Sequence, residues 1–327
     1  MISIALCTYN GERYIKEQIN SIINQSLKPD ELVVSDDNSS DNTIEIIEKL
    51  LQNTGINLRI NVNNPGLGVF KNFEKAISLC QGDYIFCCDQ DDIWKKNKIE
   101  LHMKEFEKHP DAIMVFSNAA VVLNGPENYL NPLWDKISDK DNGTSSFKSI
   151  VFCGTSIAGC CMTFKKSLLE GIFPFPDNVY HDDWLVTNAV IKGEIIGIDE
   201  ELMYYRQHGN NVFGTPKKSG KLSYYKSIIT NYKGYIKHLK YIYNRHLLVN
   251  TALINMKLVN DQLALELMEN IDFSKNRASI DGISFRSSIK NAISDRSKGY
   301  YKKYTIRKYE FLRDLYDICM INLFKGD

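Results

Sequence analysis

The first hundred residues alternate between strand-like and helical patterns, and this alternation restricts the folds that the chain can adopt. Short apolar runs predict four strands, at Ile2–Cys7, Glu31–Ser35, Leu58–Val62 and Tyr84–Cys88. Helical patterns lie between them, at 12–25, 41–52 and 68–80. Strands and helices that alternate at these lengths form βαβ units, in which the strands are parallel and helices cover both faces of the sheet. We therefore predict an α/β fold with a mostly parallel, Rossmann-like mixed sheet flanked by helices.

The remainder of the chain continues this pattern before it changes character. A helix at 97–108, a strand at Ala112–Leu123 and a polar loop at 124–146 follow in that order. An apolar block at Ser156–Phe164 precedes a helix near 182–192, and two short strands are predicted at Glu194–Ile198 and Leu202–Arg206. From about residue 217 the pattern is helical and rich in Tyr and Lys.

The net charge of zero conceals an asymmetry between two parts of the chain. Residues 1–214 contain 19 Lys and Arg against 30 Asp and Glu, a formal charge of −11, and residues 215–327 contain 21 against 10, a formal charge of +11. A boundary near Gly214–Pro216 is therefore predicted, between an α/β region at 1–214 and a basic helical region at 215–327.

The cysteines and the hydropathy pattern indicate a cytoplasmic protein. The eight cysteines show no CxxC spacing and lie mostly in apolar runs, which is typical of reduced core thiols and not of disulfides or zinc sites. No apolar run reaches the roughly 18 residues of a membrane span. Met1 leads directly into the first strand, so no secretion signal is expected.

Three carboxylates, Asp89, Asp91 and Asp92, follow the predicted strand Tyr84–Cys88 within four residues. A buried strand that ends in concentrated negative charge requires a cation at that point. Oxygen ligands in a short loop suit Mg²⁺ or Mn²⁺, which usually keep substrate phosphates among their other ligands. A surface turn rich in aspartate is the alternative, although the flanking run is too apolar for an ordinary hairpin.

Two more polar clusters follow predicted strands, Thr8–Glu12 after the first and Asp36–Asp41 after the second. Open α/β sheets bind ligands at the carboxyl ends of their strands, so the common placement of the three clusters predicts one ligand site. Taken singly, each cluster is also compatible with turns and helix caps. The chain contains neither GxxxxGK[ST] nor GxGxxG, which argues against a P-loop or a dinucleotide site.

Four motifs in this order resemble the family 2 glycosyltransferases, which have the GT-A fold: Thr8-Tyr9-Asn10, Asp36 to Thr43, Asp89-Gln90-Asp91 and His181-Asp182-Asp183-Trp184. The resemblance covers about residues 1–214. The stretches Cys88–Trp94 and Tyr205–Val212 are similar to a bacterial rhamnosyltransferase-like branch. This implies an inverting, metal-dependent enzyme with a pyrimidine nucleoside-diphosphate donor, dTDP-rhamnose first and a UDP-hexose second. It also implies a surface-polysaccharide or lipid-linked glycan acceptor, a nucleotide-binding half at about 1–110 and an acceptor-binding half at 111–214.

The resemblance further implies a set of nucleotide-binding residues: Thr8, Tyr9, Asn10, Glu12, Asp36, Asp37, Lys71, Asn72, Asp89 and Gln90. Asp37, with Asp36 beside it, is expected to accept a hydrogen bond from the imide N–H of uracil or thymine, because carboxylates accept and cannot donate. Lys71 occupies a position where the family commonly has Arg, and a solvated helical lysine is the alternative.

Metal-binding and catalytic roles follow from the same resemblance. Asp91 and His208 are expected to hold Mg²⁺ or Mn²⁺, with Asp89 as a further candidate ligand and Arg206 on the diphosphate. Asp182 is the expected base and Asp183 the second choice, while Trp94 and Trp184 are candidates to stack on the acceptor sugar. The alternatives are a structural role for His208, an intramolecular ion pair for Arg206, a helix cap for Asp183 and core packing for both tryptophans. A nucleotidyltransferase or a non-catalytic sugar-nucleotide-binding protein is the alternative function.

The basic region contains an amphipathic, Tyr-rich stretch at Gly299–Tyr309. Such a segment could lie on the anionic inner face of the membrane and bring the enzyme to a lipid-linked acceptor. A helical cap on the catalytic domain or a homodimer interface is the alternative. Nucleic acid is not an expected partner, because no recognition motif accompanies the charge.

Overall fold

The structure, a computed structural model, describes residues 1–134, 137, 148–152, 157–208, 232–279, 285–305 and 314. The chain divides into two compact units, one of residues 1–145 and 156–215, the other of residues 146–155 and 216–327. The predicted boundary at Gly214–Pro216, most of the polar loop at 124–146 after residue 134, and residues 209–212 and 306–309 of the motifs above lie outside the described residues.

The first unit contains a sheet whose described strands are β1 (Ile2–Thr8), β2 (Glu31–Asp36), β3 (Asn57–Val62), β4 (Tyr84–Cys88), β5 (Ile93–Trp94), β6 (Ala112–Leu123), β7 (Tyr129–Pro132), β8 (Met162–Lys165) and β9 (Glu194–Gln207). Its described α-helices are α1 (Ile15–Ile23), α2 (Thr43–Leu51), α3 (Val69–Leu79), α4 (Lys98–Lys108) and α5 (His181–Lys192). A short 3-10 helix, Gly159–Cys161, leads into β8.

The strand order is β3-β2-β1-β4-β8-β6-β9-β5, with β7 paired to β6. The pairs among β3, β2, β1 and β4 are parallel, as is β6 with β9. β8 runs antiparallel to both β4 and β6, and β5 and β7 are antiparallel edge strands. The sheet is therefore mixed, with a parallel half made of the first four strands in sequence, as the βαβ alternation predicts.

Burial on both faces explains why the central strands are almost wholly apolar. Every residue of β1 is buried, and the helices beside it turn one apolar stripe inward. In α1 that stripe comprises Ile15, Ile19 and Ile22, the spacing of one helical face. β1 and β2 also end together, because Thr8 pairs with Asp36. The polar residues that follow these two strands therefore start at the same edge of the sheet.

Three strands differ from the predictions. β5 was not predicted, β7 lies within the region predicted as a loop, and β9 is one strand instead of two. The pairing of β6 with β9 jumps from Ile198 to Glu201, which leaves Asp199 and Glu200 outside the ladder. These two acidic residues have the composition of a turn, but they form a bulge within a continuous strand.

The second unit is helical in its described residues: α6 (Tyr232–Asn255), α7 (Asp261–Ala278), α8 (Phe285–Ser297) and α9 (Tyr300–Tyr304), with a single π-helical turn at Lys148–Phe152. Its core includes Leu253 and Phe273. A buried hydrogen bond of 2.6 Å joins His246 Nδ1 to Ser274 Oγ, and so ties α6 to α7. Among the described residues of the chain, no helix combines the length and apolarity needed to cross a bilayer.

Candidate active site

The acidic residues that follow β4 form a partly buried cluster. Oxygens of Asp89 and Asp92 and the sulfur of Cys160 all lie within 4.8 Å of one another. Burial, together with the negative charge of Asp91, raises the pKa of Asp89 to about 7, and the same causes raise the pKa of Asp92 well above its usual range. Asp92 Oδ2 is buried and has no hydrogen-bond partner among the described residues. Crowded, uncompensated carboxylates of this kind fit a divalent cation.

Asp91 lies beside the histidine that the sequence associates with it. His208 Nε2 is 2.9 Å from Asp91 Oδ2, and the imidazole stacks on Tyr14 with ring centroids 4.6 Å apart. The structure therefore brings together the two residues predicted as metal ligands, from the end of β4 and the end of β9. Sequence reasoning missed Tyr14 and Cys160, because an aromatic residue before a helix and a cysteine in an apolar block carry no motif.

The contacts of Arg206 differ from the diphosphate contact that the sequence predicts. Its side chain is 4% exposed and forms an ion pair of 2.7 Å with Glu17. Its Nε donates to the backbone oxygen of Asp91 at 2.8 Å, and its Nη1 donates to the backbone oxygen of Asn124. The predicted contact with diphosphate is not what the structure shows, because the guanidinium is used internally. Arg206 instead fixes the backbone that carries Asp91.

Gln90 joins the loops that follow β4 and β1. Its side-chain amide donates to Tyr9 O at 3.1 Å and accepts from Tyr9 N at 2.9 Å. A Cβ at Gly11 would lie 2.2 Å from Gln90 Oε1, so a larger residue there would displace the Gln90 amide. Gln90 therefore anchors the backbone of the loop that follows β1. The ring of Tyr9 is exposed to solvent.

Asn10 and Glu12 join the same loop to the one that follows β2. Asn10 Oδ1 accepts from Ser40 N at 2.9 Å, and Glu12 Oε2 accepts from Asn42 N at 3.2 Å. Both side chains are exposed at the edge of the sheet. The three polar clusters thus meet in one place, as their position after parallel strands predicts.

The two adjacent aspartates after β2 differ in what they contact. Asp36 is fully buried and accepts hydrogen bonds from Thr8 Oγ1 at 2.6 Å and from Ser39 N at 2.7 Å. Asp37 is half-exposed and accepts from Gly68 N at 2.9 Å. This corrects the nucleotide-binding roles expected for Thr8 and Asp36, which hold the loop together from within. Asp37 is the member of the pair that a base could reach.

We expect Asp36→Ala to lower the free energy of unfolding by at least about 2 kcal/mol, because a buried donor left unpaired costs about 1–3 kcal/mol. Asp37→Ala should cost less, since water can reach the amides that it releases. Urea denaturation of both variants measures the difference. Equal losses would show that Asp36 is no more structural than its neighbour.

Two residues predicted to contact the nucleotide lie at the start of α3. Asn72 is buried and accepts from Asn63 Nδ2 at 3.0 Å. Lys71 is half-buried, and its Nζ lies 2.8 Å from Glu74 and 3.2 Å from the exposed Asp177. The buried Asn72 is closed to solvent, whereas the nucleotide contact of the half-buried Lys71 stays a prediction.

The acidic pair at the N-terminus of α5 has one accessible member. Asp182 is half-buried and its Oδ1 accepts the backbone N–H of Asp183 at 2.8 Å, whereas Asp183 is 4% exposed. Burial raises the pKa of the Cys87 thiol well above its usual range, and the negative charges of Asp89 and Asp182 add to this effect. Of the two carboxylates, Asp182 is the one that solvent reaches.

The two tryptophans do not line an open cleft. Trp184 is fully buried and its Nε1 donates to Ile172 O at 3.0 Å. Trp94 is 3% exposed, with its ring centroid 5.7 Å from that of Phe86. Both belong to the core, which corrects their predicted role in stacking on an acceptor sugar.

Comparisons with known proteins agree with this geometry. Residues 3–173 match the family model described as "Glycosyl transferase family 2". The chain is 32% identical to the "dTDP-rhamnosyl transferase RfbG" of Shigella flexneri, over 81% of this chain and 90% of that protein.

Two solved structures are similar in fold. S. aureus TarS 1-349 in complex with UDP-GlcNAc has a TM-score of 0.61 at 16% identity, covering 99% of this chain and 91% of TarS 1-349. The mannosyltransferase PcManGT from Pyrobaculum calidifontis, in complex with GDP-Man and Mn²⁺, has a TM-score of 0.50 at 17% identity, covering 100% of this chain and 88% of that one. These similarities confirm the predicted GT-A fold.

Proposed function

The chain belongs to glycosyl transferase family 2 and is a glycosyltransferase, and on that premise we propose that it moves a sugar from a pyrimidine nucleoside-diphosphate donor to a glycan hydroxyl, with inversion and with Mg²⁺ or Mn²⁺. dTDP-rhamnose is the first candidate donor and a UDP-hexose the second. The choice of rhamnose is supported by the 32% identity to a protein named as a dTDP-rhamnosyl transferase.

One observation carries this proposal: the three loops that follow β1, β2 and β4, here called the strand-end loops, meet beside the acidic cluster. Gln90 and Asn10 hold the loops together, and Asp91 and His208 lie 2.9 Å apart at their edge. In this proposal Asp91 and His208 hold the ion, with Asp89 near it. A bound divalent ion supplies charge stabilisation to a departing nucleoside diphosphate.

The other functional residues of the proposal act on the base and on the acceptor. Asp37 accepts the imide N–H of uracil or thymine. Asp182 takes the proton from the attacking hydroxyl, and a single displacement at the anomeric carbon inverts its configuration. The positive end of the α5 dipole favours the ionised form of Asp182, which a base requires. Residues 1–110 then bind the donor and residues 111–214 the acceptor.

The acceptor in this proposal is a growing surface polysaccharide or a lipid-linked glycan, reached from the cytoplasmic side. The formal charge of +11 on residues 215–327 supports peripheral contact with anionic lipid. Self-association through this region is the alternative. Flotation with vesicles that contain or lack anionic lipid distinguishes the two.

A donor screen is the direct test of the proposed reaction. The protein is incubated with dTDP-rhamnose, UDP-glucose, UDP-galactose or UDP-GlcNAc, Mn²⁺ and a membrane extract as the source of acceptor, and the free nucleoside diphosphate is measured. We expect the largest release from dTDP-rhamnose, its loss in EDTA and its recovery when Mn²⁺ is restored. Full turnover in EDTA would contradict the metal requirement. Pyrophosphate release from a nucleoside triphosphate would indicate a nucleotidyltransferase, and binding without release a non-catalytic protein.

A further inference from the structure

The first two turns of α3 contact the segment Phe173–His181, which leads into the helix that carries Asp182. Four residues of α3 make five contacts with this segment: Phe70 to Tyr180, Lys71 to Phe175 and Asp177, Phe73 to His181, and Glu74 to Phe175. Ala76 and Ile77, on the next turn of the same helix, are both fully buried. α3 is therefore a fixed surface against which the start of α5 is held.

Lys71 is the centre of these contacts. Its ammonium lies 2.7 Å from Phe175 O, 2.8 Å from Glu74 and 3.2 Å from Asp177. The ammonium donates a hydrogen bond to the carbonyl and pairs with the two carboxylates by charge. Burial lowers the pKa of Lys71, but the hydrogen bonds to Glu74 and Asp177 raise it overall, which keeps the group charged.

Glu74 completes the same arrangement from one turn further along α3. Its Oε1 accepts the backbone N–H of Phe175 at 3.1 Å, while Lys71 bonds to the carbonyl of that same residue. Both backbone polar groups of Phe175 are thus satisfied by side chains of α3. This fixes the position and the orientation of the peptide units on either side of Phe175.

The aromatic contacts carry this restraint to the residue before Asp182. The imidazole of His181 stacks on Phe73 with centroids 3.7 Å apart and an interplanar angle of 16°. On its other side, a Cβ at Gly159 would lie 2.3 Å from His181 Nε2, so the ring leaves no room there for a side chain. His181 is held between α3 and the turn that carries Cys160.

We propose that Lys71, together with Glu74, is a positioning residue: it fixes the segment Phe173–His181 on α3 and thereby sets the place of Asp182 at the site. The inference rests on the proposed role of Asp182 as the base. It is an alternative to the nucleotide contact expected for Lys71 from the sequence. Misplacing a catalytic group by about 1 Å can cost about a hundredfold in rate, so a lysine that never touches substrate can control turnover.

The test compares Lys71→Met, which keeps the length of the side chain without its charge, with Lys71→Arg, which can still donate to Phe175 O and Asp177. Lys75→Met is the matched control, because it removes a neighbouring lysine of α3 and leaves these contacts intact. We expect Lys71→Met to lower kcat at least about tenfold with the donor KM changed less than twofold. Lys71→Arg should recover most of the rate, and Lys75→Met should match the unaltered protein.

Two further readouts separate positioning from nucleotide binding and from simple loss of fold. Hydrogen exchange should accelerate in residues 173–186 of Lys71→Met but not in residues 31–51, while its Tm stays within a few degrees. In a protein that already carries Asp182→Asn, Lys71→Met should not lower kcat further, since Lys71 is proposed to act only through Asp182. Unchanged exchange in residues 173–186, or a donor KM raised tenfold at constant kcat, would overturn the proposal. If Asp182→Asn alone retains full activity, the assigned base fails, and the exchange result still decides whether Lys71 holds the segment.

Discussion

Asp91→Ala is expected to reduce sugar transfer by at least about a thousandfold while the protein remains folded. A metal ion contributes several kcal/mol of charge stabilisation at a leaving diphosphate, and each 1.4 kcal/mol or so is worth a factor of ten in rate. The substitution should not destabilise the fold, since Asp91 raises the pKa of its buried neighbours Asp89 and Asp92 and its removal relieves that repulsion. Its backbone oxygen still accepts from Arg206. Initial rates with dTDP-rhamnose and Mn²⁺ measure the effect, and circular dichroism checks the fold.

The matched control for this variant is Asp111→Ala, which removes an exposed aspartate from the loop before β6. It should leave the rate unchanged. The rate of His208→Ala should lie between the rates of Asp91→Ala and Asp111→Ala, because this variant loses one ligand and keeps the carboxylates in place. If Asp91→Ala turned over at the rate of Asp111→Ala, the ion would have to be held elsewhere or not at all.

The second large effect is expected for Asp182→Asn, which should lower kcat by about a hundredfold to ten-thousandfold, the usual contribution of a general base. The amide is close in size to the carboxylate and can still accept the Asp183 N–H, so the helix start should persist. Binding of the nucleoside diphosphate should not change, because the donor contacts lie in the strand-end loops. Rates and calorimetric affinities measured on the same preparation test both halves of this expectation.

Asp183→Asn is the variant that decides between the two carboxylates. Asp183 is 4% exposed, so its replacement should reduce stability more than it reduces the rate per folded molecule. The opposite pattern, a lost rate in Asp183→Asn with normal turnover in Asp182→Asn, would assign the base to Asp183.

Much of the parallel half of the fold could be predicted because each local pattern agrees with the global architecture. The strands Ile2–Thr8 and Tyr84–Cys88 are nearly continuous apolar runs, and the polar residues begin where the strands end. Because β1 and β4 pair in parallel, the polar residues that follow them lie at the same edge of the sheet. The strand β9 was harder to predict, since it contains a bulge with the composition of a turn.

The partners of individual side chains could not be predicted in the same way. A sequence shows that Arg206, Lys71 and Asp36 are polar residues near the site, but not which groups each one contacts. Arg206 pairs with Glu17, which is 189 positions away in the chain, and Lys71 bonds to Phe175, which is 104 positions away. Burial of Trp94 and Trp184 is likewise a result of packing among distant elements, which a motif does not contain.

The central claim is that the acidic residues after β4 bind a divalent ion that holds the donor diphosphate. Calorimetric titration of dTDP into the protein, with Mn²⁺ and then with EDTA, tests it most directly, with Asp91→Ala as the parallel sample. We expect the affinity of the unaltered protein for dTDP to fall at least about tenfold when EDTA removes the ion. The affinity of Asp91→Ala for dTDP should be the same in Mn²⁺ and in EDTA. Equal affinity in Mn²⁺ and EDTA for the unaltered protein would contradict the account.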